Sequence, residues 1–337
     1  MTDRHSAIAH AAYHDLLRSL LDDAVSELRG TPTLLKRNGR GYWYDSFRVG
    51  TSVHKRYIGE DSEALRQRID RHRLLAEQSE ARRKERTRLV RLLRAEGFLS
   101  LDAGTGSLLA AMAKAGVFRL GGTIAGTHAF RLYEGELGVR YSLDQLAQTA
   151  DIDIASFERL SLALEDITSP PLTGVLTDFD FAPVPAMEPE KVWRWQQSSG
   201  GQLVEFLTPA FDAEEGRRPL AAPGVEAQAL HHFNYLIAEP IPAAVIYRSG
   251  VLVQIPRPER FAIHKLIVSE RRQGQGDAMK ARKDVLQAEF LLDVLSQDRP
   301  DELAEAYEDA RSRGPRWRDR LDQALERSEK ARQFLSG

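Results

Sequence analysis

Three short stretches hold the residues best suited to chemistry: Gly126-Thr127, Asp151-x-Asp153, and Glu205 within Val204-Glu205-Phe206-Leu207. Side chains two apart on a strand point to the same face, so Asp151 and Asp153 would set two carboxylates side by side. Such a pair repels unless a cation lies between. A hard divalent ion such as Mg²⁺ prefers these oxygens and keeps room for water and substrate phosphates. The same spacing also suits a solvent-facing strand, where water does the screening. Glu205 has apolar neighbours, and a carboxylate there needs a partner to offset its desolvation. A metal would supply that partner, and a strand edge facing water would remove the need.

Gly126-Thr127 offers a second kind of chemistry. A glycine at a strand-to-helix turn lets the backbone approach a ligand, and a helix N-terminus attracts phosphate. The Thr127 hydroxyl is expected to cap the helix and is placed to donate to a phosphate. An ordinary N-cap after a buried strand has the same sequence. It is not a Walker A loop, because Gly-x4-Gly-Lys-Ser/Thr is absent. The chain has no cysteine, which excludes disulfides, thiolate metal sites and cysteine nucleophiles.

Charge is unevenly distributed. The formal net charge is −2, yet residues 29–97 carry 18 Lys+Arg against 9 Asp+Glu. A basic arm is therefore attached to an acidic body. In that arm Lys36, Arg37, Arg40, Arg48, Lys55 and Arg56 interleave with Tyr42, Trp43, Tyr44 and Tyr57. Positive charge neutralises phosphates, and aromatic faces stack on unpaired bases. A packed meander with an aromatic mini-core, followed by an ion-pair-laced helix, would have the same composition. Toward the C-terminus, His264-Lys265, Arg271-Arg272, Lys280, Arg282 and Lys283 supply further cations.

The elements that must position these residues follow from period and punctuation. Residues 4–28 predict a helix and 33–58 a two- or three-stranded meander broken at Asn38-Gly39 and Gly50-Thr51-Ser52. Residues 61–96 predict a long charged helix. Asp102 to Ala115 reads as an apolar helix and Phe118 to Ala125 as a buried strand, which Gly126 turns into another helix. Asp151–Ile154 alternates like a strand, and 156–166 looks helical. Two hairpins follow, one around Ser199-Gly200-Gly201 and one turning at Ser249-Gly250. Beyond Pro258 the pattern is helical over 258–272, 277–296, 300–312 and 315–334. No apolar run reaches the roughly 20 residues that span a bilayer, and no signal-peptide core opens the chain. A cytoplasmic protein without a membrane partner is the expectation.

Taken in order, the stretches Gly126-Thr127-His128-Ala129-Phe130, Thr149-Ala150-Asp151-Ile152-Asp153-Ile154-Ala155 and Val204-Glu205-Phe206-Leu207-Thr208-Pro209 resemble the nucleotidyltransferase superfamily that includes DNA polymerase beta. The strongest resemblance is to prokaryotic nucleotidyltransferase-domain proteins related to abortive-infection, toxin-type nucleotidyltransferases. Gly41-Tyr42-Trp43-Tyr44, Lys55-Arg56-Tyr57-Ile58-Gly59, Pro258 to Leu266 and Lys280 to Asp284 extend the likeness over roughly residues 30–295. Two features depart from the pattern. Residues 135–149 would form an inserted loop, and Glu205 stands where aspartate is usual.

The resemblance implies an α+β nucleotidyltransferase fold, a mixed sheet flanked by helices. We divide the chain into a basic arm (1–100), a catalytic core (101–225) and a C-terminal hairpin and helical domain (226–337). Asp151, Asp153 and Glu205 would bind two Mg²⁺ and activate an acceptor hydroxyl. Gly126, Thr127, Lys265 and Lys283 would contact the NTP. The acceptor is an RNA such as tRNA, a protein side chain or a small molecule. The arm favours RNA through Lys36, Arg37, Arg40, Lys55 and Arg56. A toxin or phage-defence role with a partner antitoxin follows from the resemblance alone. A non-catalytic nucleic-acid-binding or NTP-sensing module is the alternative.

Overall fold

Helix α1, Ala7–Ala24, buries Ala9, Ala12, Tyr13, Leu16, Leu17 and Leu20 at helical spacing. These residues pack with Leu89, Val90 and Leu93 of α2, Glu63–Ala95, in a small core separate from the main one. Between the two helices the chain forms an antiparallel meander of β1 (Thr31–Arg37), β2 (Arg40–Val49) and β3 (Ser52–Glu60). Gly39 and Gly50 make its turns with φ of +77° and +57°, a region glycine enters without steric cost. Ser62 caps α2 by accepting from the Leu65 N–H. Several cations of α2 are matched. Arg82 and Arg86 both reach Asp23 of α1, and Arg83 and Arg88 pair with Glu80 and Glu85 one turn back.

The computed structural model describes residues 3–24, 30–37, 39–141, 151–155, 168, 170–185, 192–198, 202–211, 215–220, 224–274 and 277–335, with side chains for all of these except 24, 71–78, 151–155 and 274. The helix expected over 156–166 and the turn at Ser199-Gly200-Gly201 lie outside the described residues. So does most of the expected loop over 135–149, whose first residues instead close a helix.

A second, seven-stranded mixed sheet forms the centre. Its strands are β4 (Thr123–Ala125), β5 (Asp151–Ala155), β6 (Phe181–Pro183), β7 (Arg194–Gln197), β8 (Leu203–Pro209), β9 (Arg217–Leu220) and β10 (Val225–Leu230). β5 and β10 run parallel to β8, whereas β4, β7 and β9 are antiparallel to their neighbours. Helices α3 (Ala103–Ala115), α4 (Gly126–Leu137), α5 (Leu172–Asp178) and the short α6 (Phe233–Leu236) join them. A hairpin of β11 (Ile241–Val245) and β12 (Val251–Ile255) turns at Gly250, as the Ser-Gly pair predicts. The C-terminal helices are α7 (Pro258–Gly274), α8 (Ala278–Asp298), α9 (Pro300–Ser312), α10 (Pro315–Arg327) and α11 (Glu329–Leu335). Pro300 and Pro315 each open a helix, where their fixed φ and missing N–H are tolerated. The architecture is α+β.

One expectation fails locally. The strand predicted over Phe118–Ala125 begins only at Thr123, and 116–121 is a tight turn. Gly116 ends α3 in the left-handed region at φ +99°, its N–H reaching back to the Met112 and Ala113 carbonyls. Gly121 is also left-handed at φ +94°. Two such glycines fold the apolar run back on itself instead of extending it.

Candidate active site

Backbone pairing aligns the three stretches across adjacent strands. Ala125, the residue before Gly126, is the partner of Asp153 in the β4–β5 ladder. Asp153 is in turn the partner of Glu205 in the parallel β5–β8 ladder. Neighbouring strands lie about 4.8 Å apart, so the glycine turn and the two carboxylate-bearing positions occupy one short row. The side chains of Asp151 and Asp153 lie outside the described ones. Among the described residues there is no cluster of three or more metal-ligating side chains.

At the end of the row, Gly126 takes φ +64°, a conformation costly for residues with a Cβ. Helix α4 begins there, with Ala125 as N-cap, whose side chain makes no capping hydrogen bond. The expected capping by Thr127 therefore does not occur, because the helix starts two residues too early and Thr127 lies inside the first turn. Thr127 and His128 are both buried. An uncapped helix start presents backbone N–H groups and the positive end of the helix dipole.

Glu205 has a partner that sequence reasoning missed. Arg194 stands opposite it in the antiparallel β7–β8 ladder, with Nε 2.5 Å from Oε1. The guanidinium also lies over the Trp193 ring, 4.1 Å from its centroid. This charge-assisted contact offsets the desolvation of Glu205. The signal was available in principle, since a hairpin closing near Gly200 sets 194 opposite 205.

Lys265 and Lys283 sit in the helical layer. Lys265 is buried, and its Nζ is 2.5 Å from Oδ1 of Asp284, which is itself fully buried. Arg272 holds the other oxygen of Asp284. The three groups tie α7 to α8, so the charge of Lys265 is already matched inside that layer. Lys283 is half-buried on α8. Beside this cluster His264 is buried, and desolvation followed by the Lys265 charge pushes its pKa down to about 3. It is a neutral packing group at ordinary pH. Arg271 forms a two-pronged ion pair with Glu215, which anchors α7 to the connection before β9.

The five cations of the arm divide between two faces of the meander. Trp43, Asp45, Phe47 and Val49 of β2 are buried on the inner face. Register places Lys36 and Arg56 on that side, where Arg56 lies 3.8 Å from Asp45. Arg37, Arg40 and Lys55 share the opposite, open face.

No helix among the described residues is long and apolar enough to cross a membrane. Residues 11–67 match a family described as a domain of unknown function, covering most of α1, the meander and the start of α2. No curated protein and no solved structure matches the chain. Residues 103–312 match the family described as Nucleotidyltransferase. That segment runs from α3 through α9, contains every element of the Gly126–Asp153–Glu205 row, and is well over half of the protein: the chain belongs to the nucleotidyltransferase family.

Proposed function

We propose that the protein is a Mg²⁺-dependent nucleotidyltransferase that moves a nucleoside monophosphate from an NTP to an acceptor hydroxyl. The observation that carries this reading is the register Ala125–Asp153–Glu205, which aligns a phosphate-suited helix start with two carboxylate-bearing positions. The donor set of Asp151, Asp153 and Glu205 consists of hard oxygens, which suits Mg²⁺. These residues would hold it, and two ions is the number the family resemblance implies. When bound, the metal supplies charge neutralisation at the attacking and leaving oxygens.

The chain's own groups do the rest. First-turn amides at Gly126 and Thr127 hold the β- and γ-phosphates. Glu205 takes the acceptor proton, directly or through water. The freed oxygen attacks the α-phosphorus, the α–β bridging bond breaks, and pyrophosphate departs. Arg194, no longer held by Glu205, turns its guanidinium to the phosphate oxygens. Lys283 is the cation we assign to the triphosphate from the helical layer, whereas Lys265 holds that layer together through Asp284. The basic arm favours RNA, such as tRNA, as acceptor over a protein or small molecule. The resemblance to toxin-type nucleotidyltransferases extends the proposal to a growth-arresting or phage-defence role in the cytoplasm, restrained by a partner protein.

A second reading, a binding module without transfer, has one observation in its favour: Glu205 is already neutralised by Arg194. Incubation with each α-labelled NTP, Mg²⁺ and total RNA separates the two. Transfer by the wild type that disappears in Asp151→Ala/Asp153→Ala supports the enzyme. Transfer that survives in this variant removes the metal assignment, and binding without transfer favours the module.

A further inference from the structure

The open face of the meander has a composition that core packing does not require. Tyr42 and Tyr44 of β2 and Tyr57 of β3 share it, Tyr57 being the direct partner of Tyr44. Tyr57 is 54% exposed, and its ring centroid lies 5.6 Å from that of Tyr44 and 6.4 Å from that of Tyr42. Around this row stand Arg37, Arg40, Arg48 and Lys55, all exposed. Glu60 is the acidic residue on the same face, 3.6 Å from Arg40. The remaining cations have no ion pair among the described residues. In α2, by comparison, Arg82, Arg83, Arg86 and Arg88 each find a carboxylate, while Lys84, Arg91 and Arg94 have no ion pair among the described residues but stand without an aromatic row beside them. A sheet face with adjacent tyrosines and unmatched cations complements a polyanion whose bases are unpaired. Duplexes hide their base faces, so a single strand fits. The exposed Leu35 and Val53 share the face and add apolar surface. Thr31, Thr33 and Ser46 add hydroxyls, those of Thr33 and Ser46 bonded to one another, whose remaining lone pairs suit the 2′-hydroxyls that distinguish RNA from DNA.

The meander is also fastened beside the candidate site. At the β2–β3 turn, Ser52 Oγ donates to Asp178 of α5 at 3.2 Å, and a Cβ at Gly50 would lie 3.1 Å from the Phe179 ring. The chain continues directly into β6, which pairs with β7, the strand carrying Arg194. A strand held on the meander is thus tethered to the sheet edge next to Glu205.

We propose that this open face binds single-stranded RNA by stacking unpaired bases on Tyr44 and Tyr57 while Arg37, Arg40, Arg48 and Lys55 neutralise its phosphates. The inference names the acceptor class of the proposed transferase and rests on that reading only for the fate of the bound strand. The test is anisotropy of a short labelled single-stranded RNA with the full chain and no NTP, over a range of salt. Tyr44→Ala/Tyr57→Ala is expected to weaken binding about tenfold or more. Tyr44→Phe/Tyr57→Phe, which keeps the ring and the fold, should change it less than about threefold. Arg37→Ala/Arg40→Ala should flatten the salt dependence, and Lys36→Ala, on the opposite face, should alter it less. DNA of the same sequence binding as tightly as RNA would overturn the RNA commitment. Phenylalanine variants as weak as the alanine ones would overturn stacking. Absence of RNA binding by the wild type would overturn the proposal and leave the face to a protein partner. Asp151→Ala/Asp153→Ala should bind RNA like the wild type, so loss of transfer and loss of the platform are read separately.

Discussion

Arg194 and Glu205 face one another across the β7–β8 ladder, and the Nε of one lies 2.5 Å from Oε1 of the other. In the proposed function the pair is an obstacle. A carboxylate engaged by a guanidinium must give up that contact before it serves a metal or an acceptor proton. Removing the arginine should make Glu205 easier to recruit. Arg194→Ala is expected to lower the Mg²⁺ concentration that half-saturates transfer by roughly fivefold, the equivalent of about 1 kcal/mol between solvent-screened charges. Glu205→Gln should abolish the gain in an Arg194→Ala background. A Mg²⁺ titration of the three variants checks this, and an unchanged half-saturation in Arg194→Ala would separate Glu205 from the metal.

The buried Asp284 carboxylate is held by Lys265 on one oxygen and Arg272 on the other. Taking away the shared anion leaves two cations facing a low-dielectric helix interface. Asp284→Ala should cost about 3–5 kcal/mol of folding free energy. Lys265→Met removes one cation yet leaves Asp284 paired with Arg272, so its cost should be smaller. Urea unfolding measures both. KM for the NTP in Lys265→Met is expected to stay within about twofold of wild type, since less than 1 kcal/mol of nucleotide binding would then pass through this lysine.

Stability should fall on mild acidification because of His264. Its pKa is about 3 in the folded protein, from burial and then the neighbouring Lys265 charge, against an ordinary 6.5. His232 is pushed down to about 4, by desolvation and then by Arg320 and Arg271. Between these values and 6.5 the unfolded chain binds protons that the folded chain refuses, so stability rises with pH in that window and is level above it. Each fully depressed histidine contributes up to about 1.4 kcal/mol per pH unit. The urea midpoint should therefore drop from pH 7 to pH 5, and His264→Gln should flatten the slope. A slope identical in the variant would mean that other groups set it.

Much of the architecture was legible because its signals are local. The helices after Pro258 announce themselves by period and by the prolines that open α9 and α10, and the β11–β12 turn by Ser249-Gly250. What the sequence hid depends on relationships between distant residues. An apolar run at 117–125 has strand composition, yet left-handed Gly116 and Gly121 break it. Lys265 and Lys283 look alike as charges, and only the packing of α7 on α8 shows that Lys265 meets Asp284. The basic arm read as a single cluster until strand register separated Arg37, Arg40 and Lys55 from Lys36 and Arg56. The order of the glycine turn and the carboxylates was readable, but their alignment on adjacent strands required the β4–β5–β8 register.

Gly126 combines a backbone demand with a binding demand, and two substitutions separate them. Its φ of +64° costs a residue with a Cβ about 1–2 kcal/mol. Gly126→Ala should therefore lower stability by about that amount, and the added methyl should also stand where the phosphates approach the first-turn amides of α4. Asparagine visits the left-handed region more readily than alanine does, so Gly126→Asn should recover part of the stability. It still carries a side chain at the phosphate approach, so it should not recover KM for the NTP. Urea unfolding and steady-state kinetics on both variants make the comparison. If KM returns with stability in Gly126→Asn, the glycine serves the turn alone and the nucleotide does not meet the backbone there. If KM stays high while stability recovers, the start of α4 is where the triphosphate sits.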